Sequence, residues 1–150
     1  MNSEIDTTRE YLKIFTDLAK LMRNFQHEAP FCEGLTFGQF TILDHVIQNK
    51  HLELSKLHGL LGVEKSTTTR LIQPLVDQNF VEKVKSADDS RILYLEITDE
   101  GKEIHDNAWR CLSSFFHNSF ESIAPGKQHE ITSGLKLFIS RFDECCGGSC

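Results

Sequence analysis

The stretch Lys65-Ser66-Thr67-Thr68-Thr69-Arg70 sets four hydroxyls between two cations. On the exposed first turns of a helix, short hydroxyls reach base edges or phosphates, and an arginine can fork onto guanine. Lys65, Ser66, Thr67, Thr69 and Arg70 are the candidates for such contacts. A solvated helix start beside a packed core would use the same residue types, and within this stretch both readings stand. A second concentration of chemistry is the tail Cys145-Cys146-Gly147-Gly148-Ser149-Cys150, with three thiols in six residues. Its two glycines let the chain curl, so three thiolates can converge on a soft ion or metalloid such as arsenic(III), zinc or copper(I). Zinc ordinarily takes a fourth ligand, for which Cys32, Cys111 or a thiol of a second copy are candidates. Oxidation of the tail to a disulfide, with Cys146 and Cys150 the unstrained pair, is the alternative. An inert frayed terminus is the third.

Catalytic chemistry finds little to work with. The chain has no phosphate-cradling glycine loop, no His-Glu-x-x-His and no nucleophile elbow, and its seven histidines show no spacing to a carboxylate or cysteine that fixes a site. We expect no enzyme and no required cofactor.

Charge narrows the partner. The formal net charge is −6, yet residues 50–91 carry seven basic and six acidic side chains, net +1, which leaves −7 for the remainder. An acidic body around a neutral-to-basic segment is compatible with duplex binding. The apolar runs are short and broken by charge, and the start Met1-Asn2-Ser3-Glu4 lacks the pattern of an export signal, so neither membrane nor secretion is indicated. A cytoplasmic protein is expected. Its five cysteines, odd in number and unevenly spread, make a poor disulfide framework and should be thiols there. Cys32 and Cys111 then read as small buried hydrophobes, with Cys32 also a candidate reactive thiol or tail partner.

The elements that must position these residues follow from periodicity. Thr7-x-x-Glu10 has the form of a capping box, and Tyr11, Ile14, Leu18, Leu21 and Phe25 recur at helical spacing, predicting a helix over about 8–28 that Pro30 ends. A second capping box, Thr36-x-x-Gln39, opens a helix carrying Phe40, Leu43 and Ile47. Helices over about 53–61 and 65–78, divided by Gly62-Val63, form a tight helix-turn-helix. Asn79 then suits a left-handed helix end. Two strands, 81–85 and 92–97, flank a polar tip, Ser86-Ala87-Asp88-Asp89-Ser90. Thr98-Asp99-Glu100 starts a long helix with Ile104, Ala108, Cys111, Leu112, Phe115 and Phe116 on one face, and Pro125 starts the last. The expected order is α-α-α-α-β-β-α-α, a mainly α fold with a small β-hairpin.

From Leu35 to Gly101 the chain resembles the multiple-antibiotic-resistance regulator (MarR) family. The resemblance is carried by Leu35-Thr36-x2-Gln39-x3-Leu43, the helix pair with Leu57, Leu61, Val63, Leu71 and Leu75, Asp89-x-Arg91, and Leu95-x-Ile97-Thr98-x2-Gly101. It implies a winged helix-turn-helix homodimer joined through its N- and C-terminal helices, binding double-stranded DNA at a pseudo-palindromic operator. The helix from Lys65 would enter the major groove and Arg91 the adjacent minor groove, with Asp89 steadying the wing and Lys83 and Lys85 on phosphates. The implied parts are 1–34 (dimerisation helix and loop), 35–98 (DNA-binding domain), 99–144 (dimerisation helices) and 145–150 (cysteine tail). A transcription regulator follows, with repression favoured. A small aromatic or anionic effector is also implied, for which Tyr11, Phe15, Phe37, Phe40, Trp109 and Phe116 could line a pocket; such residues equally make plain core. The chain departs from the family pattern at His58, where alanine is usual, and at Glu64, Pro74 and Asn79-Phe80. A thiol-based metal buffer or redox adaptor that ignores DNA is the rival reading.

Overall fold

The computed structural model of the chain describes residues 2–26 and 31–146, with side chains described for 6–23, 31–142 and 144. Six helices and three strands follow one another: α1 (Asn2–Gln26), α2 (Phe37–Asn49), β1 (Leu52–Glu53), α3 (Leu54–Leu61), α4 (Lys65–Asp77), β2 (Val81–Lys85), β3 (Leu93–Ile97), α5 (Asp99–Glu121) and α6 (Pro125–Cys146). The packing divides the chain into two compact units, Met1–Arg110 and Cys111–Cys150.

In the first unit, Thr36 caps α2 reciprocally: the Gln39 amide donates to the Thr36 hydroxyl at 3.2 Å, and the Thr36 amide donates to Gln39 Oε1 at 2.9 Å. That fixes the entry of α2, whose Phe40, Ile42, Leu43 and Val46 are buried with Leu35, Leu57, Ile72, Leu75, Val81 and Leu95. The sheet has the order β1-β3-β2, all antiparallel, with Leu52 opposite Leu95 and Lys83 opposite Leu95 from the other side. Leu95 is therefore the middle of the sheet's inward face. The third strand, β1, was not expected from the sequence. The first capping box also differs from expectation: α1 already begins at Asn2, so Thr7 and Glu10 lie inside it. Nothing between Asn2 and Thr7 breaks a helix, and Asp6 suits the positive end of its dipole.

The junction between α4 and α5 is close. Asn79 adopts the left-handed conformation (φ 59°), and the Phe80 amide donates back to the Leu75 carbonyl at 2.8 Å. The Thr98 hydroxyl lies 2.6 Å from the Asn79 carbonyl and 3.1 Å from that of Phe80, while accepting the Gly101 amide at 2.9 Å. A Cβ on Gly101 would collide with the Phe80 carbonyl oxygen and approach Ile97 Cδ1 to 2.7 Å, so only glycine fits.

In the second unit the α6 turn is tied by Gln128, whose amide donates to the carbonyls of Phe120 (2.9 Å) and Ile123 (2.7 Å). Phe115, Phe116, Ile131, Leu135, Leu137, Ile139 and Phe142 are all exposed in the single chain. On α5, the stripe expected to be core is buried at Ala108 but exposed at Cys111, Phe115 and Phe116.

Candidate nucleic-acid interface

The turn between α3 and α4 is made by Gly62, which ends α3 in the left-handed region (φ 62°), and by Val63, whose amide donates to the His58 carbonyl at 3.2 Å. On its two sides Leu57 of α3 and Ile72 and Leu75 of α4 are all buried. This orients α4: Thr68, Ile72 and Leu75 face the core, whereas Lys65, Ser66, Thr69 and Arg70 are exposed and Thr67 is half-buried. Four of the five residues that the sequence singled out here are thus exposed, and the fifth, Thr67, is half-buried. Thr69 donates its hydroxyl to the Lys65 carbonyl at 3.0 Å, so it offers outward a methyl and oxygen lone pairs. Glu64, the N-cap of α4, makes no side-chain capping bond. The helix continues through Pro74 to Asp77.

The hairpin of β2 and β3 stands beside α4. At its tip the Asp89 carboxylate accepts the Arg91 amide at 2.9 Å, and the Ser86 amide donates to the Ile92 carbonyl at 3.0 Å. Asp89 thus shapes the backbone that carries Arg91. Arg91, Lys83 and Lys85 are exposed.

Three clefts distribute the candidates. Lys65, Thr69 and Arg91 line one of about 220 Å³, together with Glu53, Ser55 and His58. Thr67 and Arg70 line another of about 290 Å³, between the start of α2 and α4, with Phe37, Gly38 and Leu71. Lys85 lines a third of about 720 Å³, where His51 Nδ1 meets Glu96 at 2.8 Å and Lys56 meets Glu53 at 3.2 Å. Hydrogen bonds from Ser55 and then Lys56 hold the Glu53 carboxyl below its ordinary range. Ser66 and Lys83 line none of the three.

The sequence profile of the family described as Transcriptional regulator SarA/Rot matches residues 30–108, more than half of the chain and the whole of this helix-turn-helix and hairpin. The chain belongs to the SarA/Rot family of transcriptional regulators. It is 29% identical over 131 residues to the HTH-type transcriptional regulator BilQ of Clostridioides difficile, covering 85% of this chain and 88% of that one. With the HTH-type transcriptional regulator SarZ of Staphylococcus epidermidis it shares 24% identity over 139 residues, 92% of this chain and 85% of the relative. A solved MarR transcriptional regulator from Methanosarcina mazei superposes with a TM-score of 0.75 at 25% identity, covering 88% of this chain and 97% of the other. The SarA/Rot chain is a winged-helix, DNA-binding transcription regulator and not an enzyme.

Other expected residues have different fates. Cys32 is buried and Cys111 exposed, and both are disulfide-bonded rather than the thiols expected. That expectation weighed the number and spread of the cysteines and the redox compartment, whereas a disulfide also depends on geometry that the sequence does not show. Cys150 and the side chains of Cys145 and Cys146 lie outside the described residues. Among the described residues no group of three or more His, Cys, Asp or Glu side chains is placed to hold a metal ion. No helix among them is long and apolar enough to cross a membrane.

Of the aromatic residues considered for an effector pocket, Phe40 is buried in a stack. Its ring lies 5.2 Å from the ring of His105 at an interplanar angle of 4°, and 6.1 Å from Trp109. His105 is buried, and its Nε2 sits 3.2 Å from Asp44 Oδ1 on α2. Sequence reasoning missed this pairing. Its one signal was a histidine three residues before the buried Ala108, on the apolar face of α5. Tyr11 and Phe116 are exposed.

Proposed function

We propose that this SarA/Rot-family chain is a cytoplasmic homodimer that binds a pseudo-palindromic operator and represses transcription. Lys65, Ser66, Thr67, Thr69 and Arg70 would meet base edges and phosphates in the major groove. Arg91 would enter the adjacent minor groove from a wing steadied by Asp89, and Lys83 and Lys85 would add phosphate contacts. The observation that carries the reading is the division of α4, whose Thr68, Ile72 and Leu75 are sealed inward while Lys65, Ser66, Thr69 and Arg70 stay exposed beside the hairpin. Dimerisation is supported by the apolar residues exposed along α1 (Tyr11, Leu12, Ile14, Leu18) and α6 (Ile131, Leu135, Ile139, Phe142), which a second copy would cover. No resident cofactor is required. The signal we assign is a thiophilic metalloid, a soft metal or an oxidant acting through Cys145, Cys146 and Cys150, with Cys32 available only after its disulfide is reduced. A small aromatic ligand between helices is the alternative effector.

Selection of bound fragments from random duplexes tests the reading, with and without arsenite, Zn(II) and peroxide. The expected product is an inverted repeat with half-site centres about one helical turn apart. Affinity should fall steeply with salt as phosphate contacts exchange with counterions. Recovery of no enriched sequence, or affinity indifferent to salt, would sink the DNA reading. Identical binding under all three additives would remove the sensor.

A further inference from the structure

The cleft between α3, α4 and the root of the wing has an unusual lining for a surface with a net negative chain around it. His58, Lys65 and Arg91 reach it from three different elements, and none of the three side chains makes a hydrogen bond or ion pair with another described residue. The one carboxylate in the lining, Glu53, is engaged by the Ser55 hydroxyl and by Lys56. Glu64, the N-cap at the start of α4, does not line the cleft. The mouth therefore holds two permanent cations and one imidazole that have no counter-ion of their own. His58 stands where the related pattern has alanine, and the fold accommodates it by leaving the imidazole exposed, outside the α3–α4 contact where Leu57 is sealed.

We propose that this cleft seats the phosphodiester strand that divides the two DNA grooves, with His58 and Lys65 holding one of its phosphates. The inference rests on the DNA reading above. With α4 in the major groove and Arg91 in the neighbouring minor groove, the strand between those grooves crosses the gap between α4 and the wing. That gap is the cleft, and His58 lies in its lining on the α3 side. An imidazole is cationic at low pH and neutral at high pH, changing within the physiological range. A cationic imidazole makes a charge-assisted contact with a phosphate that a neutral one does not, so operator affinity is expected to rise as pH falls. Glu53 stays ionised through this range, so it adds a constant background.

The test uses the full chain, the duplex recovered by selection and a random-sequence duplex, with fluorescence anisotropy across a salt series at about pH 6 and about pH 8. The wild type is expected to bind about fivefold tighter at the lower pH. Its log–log salt slope should be steeper there by about 0.9, the signature of one more neutralised phosphate. His58→Gln is expected to erase both differences, and His58→Lys to show the steep slope at both pH values. A His58→Gln protein that keeps the wild-type pH response, or a wild-type slope that is the same at both pH values, overturns the inference and leaves the regulator reading standing. A wild type that binds neither duplex at either pH overturns both.

Discussion

Residues Met1–Arg110 and Cys111–Cys150 deal with apolar surface in opposite ways. The first unit seals Leu35, Ile42, Leu43, Val46, Leu57, Leu75, Val81 and Leu95 almost completely from solvent. No described side chain of the second unit is buried, although Ile131, Leu135, Leu137, Ile139 and Phe142 recur along α6. The unit that carries α4 is thus held together by contacts the single chain supplies. The α6 helix instead leaves an apolar series exposed along its length in the single chain. Within the first unit α1 shares that exposure, with Leu12 66% accessible.

The comparison is broken hardest at Gly101. Gly101→Ala drives a methyl into the Phe80 carbonyl, and a loss of about 3 kcal/mol or more is expected in urea unfolding of the first unit. A loss under about 1 kcal/mol would mean the α4–α5 junction is slack. The opposite outcome is expected on α6, where Leu135→Asp with Ile139→Asp should leave the folded first unit intact. In sedimentation the same double variant should turn a dimer into a monomer, at a cost of about 2–4 kcal/mol of association. A wild type already monomeric would count against the covering role given to a second copy. Smaller again are Arg91→Ala and Arg70→Ala, each expected to weaken operator binding by about 1–3 kcal/mol with an unchanged unfolding midpoint. Unchanged anisotropy in both would point away from α4 and the wing as the reading surface.

The smallest effect is an acid one. Lys102, by hydrogen bond and then by charge, holds Asp99 below its ordinary range. A carboxylate depressed by folding stabilises above its unfolded pKa and loses that contribution as pH falls through its folded one. The melting temperatures of wild type and Asp99→Asn should therefore differ slightly at neutral pH and converge below about pH 4. Because Asp99 is fully exposed, solvent screening keeps the difference small.

Local chemistry made much of the first unit legible. Thr36 and Gln39 satisfy each other's backbone across one turn, and Asn79 takes the left-handed position, so both signals needed only a few neighbouring residues. The two-residue strand β1 is too short for any alternation and exists through pairing with β3, some forty positions on. His105 was illegible for a similar reason: its partner Asp44 lies on another helix, 61 residues away. At α4 the hydroxyl and cation pattern found Lys65, Ser66, Thr69 and Arg70, which are exposed, with the half-buried Thr67, but which neighbours shared a cleft with them depended on where α3 and the wing came to rest. His58 read only as a departure from the family's alanine; that its imidazole lies on the open side of the turn depended on the same packing.

Thr98 carries one more implication. Its oxygen and amide bind the residues just after α4 and the first turn of α5 at the same time, and Gly101 leaves no gap for a side chain to cushion them. Pinned so tightly, the end of α4 and the start of α5 have little room to turn independently, so a rotation of the first turn of α5 is expected to be felt at the C-terminal end of α4.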